Sequence, residues 1–255
     1  MMMITFLGTG TSQGVPVIAC DCTVCTSTDT RDNRLRSSIL VQTESTSIVI
    51  DTGPDFRQQM LREKVDRLDA VVFTHEHKDH VAGMDDVRAF NFKQKKDMDV
   101  YATSRVQEAL IREYPYVFSD FKYPGVPQVK LHTIDADNSF QIGDITLQPI
   151  EVLHYKLPVL GFRINDFVYI TDANFISPEE KEKIKGCKKL VLNALRKTKH
   201  ISHFNLEEAI SLSKELGAEQ TYLTHISHLM GTHKSVSEEL PAGVQLACDS
   251  LKVEI

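Results

Sequence analysis

The stretch His75-Glu76-His77-Lys78-Asp79-His80 brings three imidazoles and the Asp79 carboxylate into six consecutive positions. Neutral imidazole, carboxylate and thiolate are the side chains that offer a lone pair to a divalent cation. With ten histidines in 255 residues, three within one such stretch read as a metal-binding loop and not as chance. The chemistry on offer is metal-assisted hydrolysis, in which a cation activates water and polarises the bond to be cut.

A loop of this kind has to be held by a strand end. The β-branched run at 70–73 precedes it, and a tight turn after a strand can send alternate side chains to one point, enough to feed two adjacent cations. Val81-Ala82-Gly83-Met84 reads as a helix start, with Gly83 permitting close backbone approach. Strand-like runs bounded by Gly, Pro, Asp or Asn recur at 4–7, 38–41, 47–50, 129–134, 145–152, 159–164 and 167–170, and later at 190–192, 221–223, 244–247 and 251–255. Helical spacing of apolar residues appears at 56–65, 105–114, 178–184 and 206–216. Helices interspersed among hairpins predict two packed sheets with helices on their outer faces, in a single domain over 1–255. Segment 90–127, rich in Lys, Tyr and Pro, reads as an insertion or rim near the site.

Composition narrows the partners. A hydrophobic fraction of 42% with 25% charged residues is ordinary for a globular chain, and a net charge of −6 argues against a nucleic-acid binder. It leaves room for a small phosphate ester, because bound cations supply positive charge locally. The first residues run straight into a strand pattern without a basic leader and apolar stretch, and no apolar run approaches the roughly 18–20 residues of a membrane span. A cytoplasmic protein with no membrane partner is expected. Five cysteines fit a reducing compartment: Cys20, Cys22 and Cys25 cluster as a metal-binding set, whereas Cys187 and Cys248 read as small buried hydrophobes.

The pattern His-x-His-x-Asp-His at 75–80 resembles that of the metallo-β-lactamase superfamily, which implies a four-layer αββα sandwich of α/β class with two mixed sheets. The resemblance also implies further ligands, and candidates occur in the expected order at strand ends: His154, Asp172 and His225. In that family His75, His77 and His154 would hold one cation, Asp79, His80 and His225 the other, and Asp172 would bridge them. The metals so implied are zinc or manganese, with iron or nickel also accepted by such ligands.

Three thiolates at short spacing suit a structural zinc once a fourth ligand arrives. His228, in Thr224-His225-Ile226-Ser227-His228, is the candidate, and His233 competes with it. Taken together, Gly8-Thr9-Gly10-Thr11-Ser12-Gln13-Gly14-Val15-Pro16, the cysteine cluster, the histidine loop and Thr-His-Ile-Ser-His resemble the PhnP-type phosphodiesterases over 6–228. That family opens a cyclic phosphodiester of ribose and tends to dimerise. The resemblance implies a hydroxide bound by two metals as nucleophile and assigns catalysis to Asp79 and to His203, the latter as proton donor to the leaving group; His200 is the alternative. Arg31, Arg34, Arg36 and Arg196 read as solvated surface charges and His132 as structural. The competing readings are a tRNA 3′-processing nuclease, disfavoured by the acidic charge and the lack of a basic arm, and an esterase or thioesterase on the same scaffold.

Overall fold

Residues that alternate between two apolar surroundings build both sheets of this protein. In the computed structural model, which describes all 255 residues except Lys122, the first sheet contains β1 (Met3–Gly8), β2 (Ser38–Gln42), β3 (Ser47–Ile50), β4 (Ala70–Val72), β5 (Met98–Ala102), β6 (Val129–Thr133) and β15 (Lys252–Glu254). Its order is β15-β1-β2-β3-β4-β5-β6, antiparallel as far as β3 and parallel from there. The second sheet holds β8 (Ile145–His154), β9 (Leu157–Ile164), β10 (Phe167–Tyr169), β11 (Phe175–Ile176), β12 (Lys189–Asn193), β13 (Gln220–Thr224) and β14 (Val244–Leu246), in the order β11-β8-β9-β10-β12-β13-β14, with β7 (Phe140–Ile142) paired to β8 off this path. It too is antiparallel up to β10 and parallel beyond.

Ile48 and Ile50 of β3, Ala70 and Val72 of β4, and Phe167 and Tyr169 of β10 point into the layer between the sheets. Their neighbours Val49, Val71 and Val168 point outward and are equally buried. Strands covered on both faces read as continuous apolar runs, which is why these are legible in the sequence. Outside the first sheet lie α1 (Phe56–Arg62), α3 (Arg88–Gln94) and α4 (Ser104–Glu113), whose Phe56, Met60, Phe90, Val106 and Leu110 face Val49, Val71 and Val100. Outside the second lie α6 (Pro178–Ile184), α7 (Leu206–Leu216) and α8 (His233–Ser237). The short α2 (Lys78–Val81) and α5 (Pro115–Phe118) complete the set. The architecture is the expected four-layer αββα sandwich, and among the described residues no helix is long and apolar enough to cross a membrane.

Segment 90–127 corrects the expectation of an insertion. It includes β5, an inner strand paired in parallel with β4 and β6. Met98, Val100 and Ala102 are buried on the helix-facing side, while Asp99 accepts from His132 Nε2 at 2.6 Å and Tyr101 stacks on the His132 ring. Those polar residues, following Lys95, Lys96 and Asp97, break the apolar pattern. Two smaller differences concern Cys248, which is only partly buried, and α1, which stops at Arg62 short of residue 65.

Candidate metal centre

Most residues of the centre sit where a strand ends, while Asp79 and His80 fall in α2 and His203 precedes α7. Asp51 follows β3, Thr74 and His75 follow β4, His154 is the last residue of β8, Asp172 lies beyond β10, and His225 follows β13. Asp51, Asp172 and His225 take φ of 67°, 54° and 55°, left-handed values that turn the chain sharply at the rim. The loops beneath interlock through glycine: a Cβ on Gly53 would lie 2.2 Å from the Asp79 carbonyl oxygen, and one on Gly83 would lie 2.2 Å from that of Gly53.

Potential ligand atoms converge in three groups whose members lie within 4.8 Å of one another: Asp79, His80, Asp172 and His225; His75, His77 and Asp172; and His154, Asp172 and His203. Asp172 belongs to all three. Its Oδ1 lies 3.1 Å from His225 Nδ1 and 3.4 Å from His80 Nε2, and its Oδ2 lies 3.7 Å from His75 Nε2. His80 Nε2 is also 3.2 Å from Asp79 Oδ2. The His77 ring is 4.6 Å from that of His75 and 5.1 Å from that of His154.

The far side of each ring explains its orientation. His80 Nδ1 lies 2.7 Å from Asp51 Oδ2, and a carboxylate only accepts, so Nδ1 carries the proton. The Thr74 hydroxyl donates to the same Oδ2 at 2.8 Å, and its oxygen is left to accept from His75 Nδ1 at 2.9 Å. The Thr74 backbone N–H donates to Asp51 Oδ1 at 2.9 Å. One buried carboxylate therefore sets the tautomer of two rings. His154 Nδ1 likewise donates to the Ser202 carbonyl at 2.8 Å. In consequence Nε2 of His75 and Nε2 of His80 face the centre, where both atoms are buried without a hydrogen-bond partner. Buried polar nitrogens left open beside carboxylates are what a divalent cation satisfies, so the donor set fits a metal.

Electrostatics follow the same geometry. Burial holds the His75 imidazole well below its ordinary value, with His80 next in effect. Burial also opposes charge on His80, but Asp172, Asp79 and Asp51 outweigh it and hold that ring well above the ordinary value. Asp172 is kept well below the carboxylate range, because His225 and His80 overcome its burial. Three carboxylates favour the charged form of His80, and a cation bound there would displace that proton.

His203 is buried, with its ring 4.4 Å from that of His154 and 4.8 Å from that of His225, and its Nδ1 has no partner. Burial, then His225, pushes it down to about 3. It arrives just before α7, whose capping box of Asn205 and Glu208 anchors the approach. The His200 ring lies 5.3 Å from that of His203, and His200 contacts Ser202. The cysteines also converge: His228 Nδ1 lies 3.3, 3.4 and 3.5 Å from the sulfurs of Cys20, Cys22 and Cys25. The Cys25 backbone N–H and then His228 draw the Cys22 thiol down to about 6, toward the thiolate a metal takes. His233 is elsewhere, with Arg34 Nη2 3.2 Å from its Nδ1. Residues 9–11 pair with Ile226, so the thiol loop is joined to the segment carrying both His225 and His228.

Of the arginines, Arg31 pairs with Asp29, Arg36 with Asp55, and Arg196 with nearby carbonyls. Arg34 is not a surface charge: it is 3% exposed and donates to Thr9 Oγ1 and the Ala247 carbonyl. Sequence reasoning misses Asp51 and Thr74, since Asp51-Thr52-Gly53 looks like a turn after a strand. Glu76 and Lys78 bind outward, to Arg105 and Glu113.

The family model of the β-lactamase superfamily domain matches residues 46–226. An octanoyltransferase of Porphyromonas gingivalis (strain ATCC BAA-308 / W83) is 40% identical over 256 residues, covering all of this chain and 52% of that protein. A ribonuclease Z of Nostoc sp. (strain PCC 7120 / SAG 25.82 / UTEX 2576) is 27% identical over 171 residues, 64% of this chain and 46% of that protein. The chain thus spans about half the length of these relatives. The crystal structure of a diphosphatase from the PhnP family superposes with a TM-score of 0.93 at 37% identity, covering 100% of this chain and 98% of that one. With this fold and this ligand set, the chain belongs to the metallo-β-lactamase superfamily, in its PhnP type.

Proposed function

We propose that the protein hydrolyses a small phosphodiester, cyclic in the simplest case, at a centre of two divalent cations, zinc or manganese. The observation that carries this reading is Asp172, whose two carboxylate oxygens face different imidazoles: Oδ1 faces His80 and His225, and Oδ2 faces His75. His75, His77 and His154 would hold one cation, Asp79, His80 and His225 the other, with Asp172 shared. Cys20, Cys22, Cys25 and His228 would hold a third, structural zinc away from the chemistry. Bound cations supply Lewis acidity, making water a better nucleophile and offsetting charge that builds on the phosphoryl oxygens.

The chain's own residues do the rest. Asp51 and Thr74 keep the proton of His75 and His80 on Nδ1, away from the centre, and the Ser202 carbonyl does so for His154. Asp79 is held next to His80, within the group that also contains His225. His203 faces the centre with an unpartnered Nδ1 and is the group placed to protonate the departing oxygen. Burial, then His225, holds the ring low, and the negative charge of a bound substrate would act in the opposite direction. In the balanced step, water oxygen bonds to phosphorus and gives up one proton to solvent, the bond from phosphorus to the ester oxygen breaks, and that oxygen takes the His203 proton, which the ring regains from solvent.

The experiment is a substrate panel with metal-replete protein: ribose cyclic phosphates, 2′,3′-cyclic nucleotides, an aryl phosphodiester, a diphosphate diester and a precursor tRNA. Turnover of the small diesters is expected. Cleavage of the precursor tRNA alone, or of the diphosphate alone, overturns the reading.

A further inference from the structure

A cleft of about 570 Å³ opens beside the centre, lined by His77 and His154 together with Arg105, Tyr155, Lys156 and Ile201. Tyr155 and Lys156 form the two-residue turn between β8 and β9, since His154 pairs with Leu157. The first residue of such a turn, when φ is positive, is ordinarily Gly, Asn or Asp. Tyr155 stands there with φ of 59°, a region in which a bulky side chain is strained. Burial does not compensate: its side chain belongs to no core cluster and the residue is 51% exposed. The turn is fixed by the Tyr155 N–H, which donates to Asn174 Oδ1 at 2.6 Å.

The fold therefore presents an aromatic ring in solvent one residue past His154, in a backbone conformation that disfavours it. Strain kept at the rim of a site points to use. Ile201, 68% exposed, adds a second apolar surface to the same cleft. Positive charge is available beside them. Lys156 Nζ lies 5.4 Å from the Tyr155 ring centre and, among the described residues, makes no ion pair. Arg105 is held through Nε by Glu76 at 2.6 Å, which leaves its terminal nitrogens available to the cleft.

We propose that Tyr155 is a stacking platform for a planar base, so that the substrate is a nucleoside phosphodiester. Its base rests on Tyr155 near Ile201, and Lys156 and Arg105 offset the phosphate charge. This rests on the phosphodiesterase reading above, which leaves the organic part of the ester open.

The test uses the metal-replete full chain with Tyr155→Gly, which suits the left-handed turn, and Tyr155→Phe, which keeps the ring. Turnover is compared on 2′,3′-cyclic adenosine monophosphate and on glycerol 1,2-cyclic phosphate, which has no base. Binding of adenosine 5′-monophosphate and of ribose 5-phosphate is measured by calorimetry. Tyr155→Gly is expected to raise KM for the nucleotide about tenfold, the size of one base stack, with kcat and the base-free substrate unchanged. Adenosine 5′-monophosphate should then bind no better than ribose 5-phosphate, while Tyr155→Phe behaves as the parent protein. Equal loss on both substrates, or parent protein that binds the two phosphates equally, overturns the platform. Parent protein that holds the nucleotide through Tyr155 but hydrolyses neither ester supports the platform and overturns the phosphodiesterase reading instead.

Discussion

Replacing Asp51 with asparagine keeps the side chain's shape and removes one acceptor from a network that needs both. Asp51 Oδ1 accepts the Thr74 backbone N–H, and Oδ2 accepts the Thr74 hydroxyl and His80 Nδ1. An amide presents an NH₂ group to one of these sets, so a donor must face a donor. If the amide nitrogen faces His80, the ring is satisfied only by moving its proton to Nε2, the atom turned toward Asp172. Removing a carboxylate that orients a ligating histidine costs about 10–100-fold in metal affinity, about 1.4–2.7 kcal/mol. Because Asp51 serves His80 directly and His75 through Thr74, the upper end is expected. Thr74→Val interrupts only the His75 branch and should fall near the lower end. The assay is chelator competition for the catalytic-site metal, with turnover measured again at saturating metal. An Asp51→Asn affinity within about threefold of the parent would refute the reasoning, as would equal losses in the two variants.

Other consequences follow from the same geometry. His203→Ala should lower turnover of an alkyl phosphodiester by about 10²–10⁴-fold with metal content retained, yet barely affect a nitrophenyl ester, whose leaving group needs no proton; equal losses on both substrates would contradict the proton-donor role. Cys20→Ser should abolish the zinc binding proposed for the cysteine site and lower the thermal midpoint before it alters turnover of the protein that remains folded; unchanged zinc content and midpoint would contradict that site. Since His80 is held well above its ordinary value in the metal-free centre, cation binding must expel that proton. Affinity should therefore rise with pH by about tenfold per unit, and the slope should vanish above the raised His80 value. A pH-independent affinity would contradict the proton's placement. Gly83→Ala should destabilise the loop, because its new methyl would meet the Gly53 carbonyl at 2.2 Å; unchanged metal affinity and melting would show that the loops can part.

Residues whose role depends only on type and local spacing are legible in the sequence itself. His75, His77, Asp79 and His80 form one loop, the cysteines another, and strands buried on both faces announce themselves as apolar runs. His154, Asp172 and His225 stand out only through the resemblance, because a single polar residue at a strand end has no local signature. Asp51 is invisible there for a deeper reason: its function consists of contacts to Thr74 and His80, which are 23 and 29 positions away. Nothing in Asp51-Thr52-Gly53 separates that role from a turn. β5 is hidden because Asp99 and Tyr101 interact with His132 on the adjacent strand, and a strand with one polar-paired face lacks the continuous pattern of its neighbours. Arg34 shows the converse error, a charge taken for surface that is enclosed by Thr9, Ala247 and His233.

The central claim, a phosphodiesterase whose centre holds two cations around Asp172, is tested most directly by metal titration. Protein retaining only its cysteine-bound zinc is titrated with manganese or zinc while hydrolysis of a 2′,3′-cyclic nucleotide is followed. The account predicts no turnover at the start and a rise that reaches its plateau at two added equivalents per chain. Full turnover before any cation is added, or none once both have bound, would contradict it.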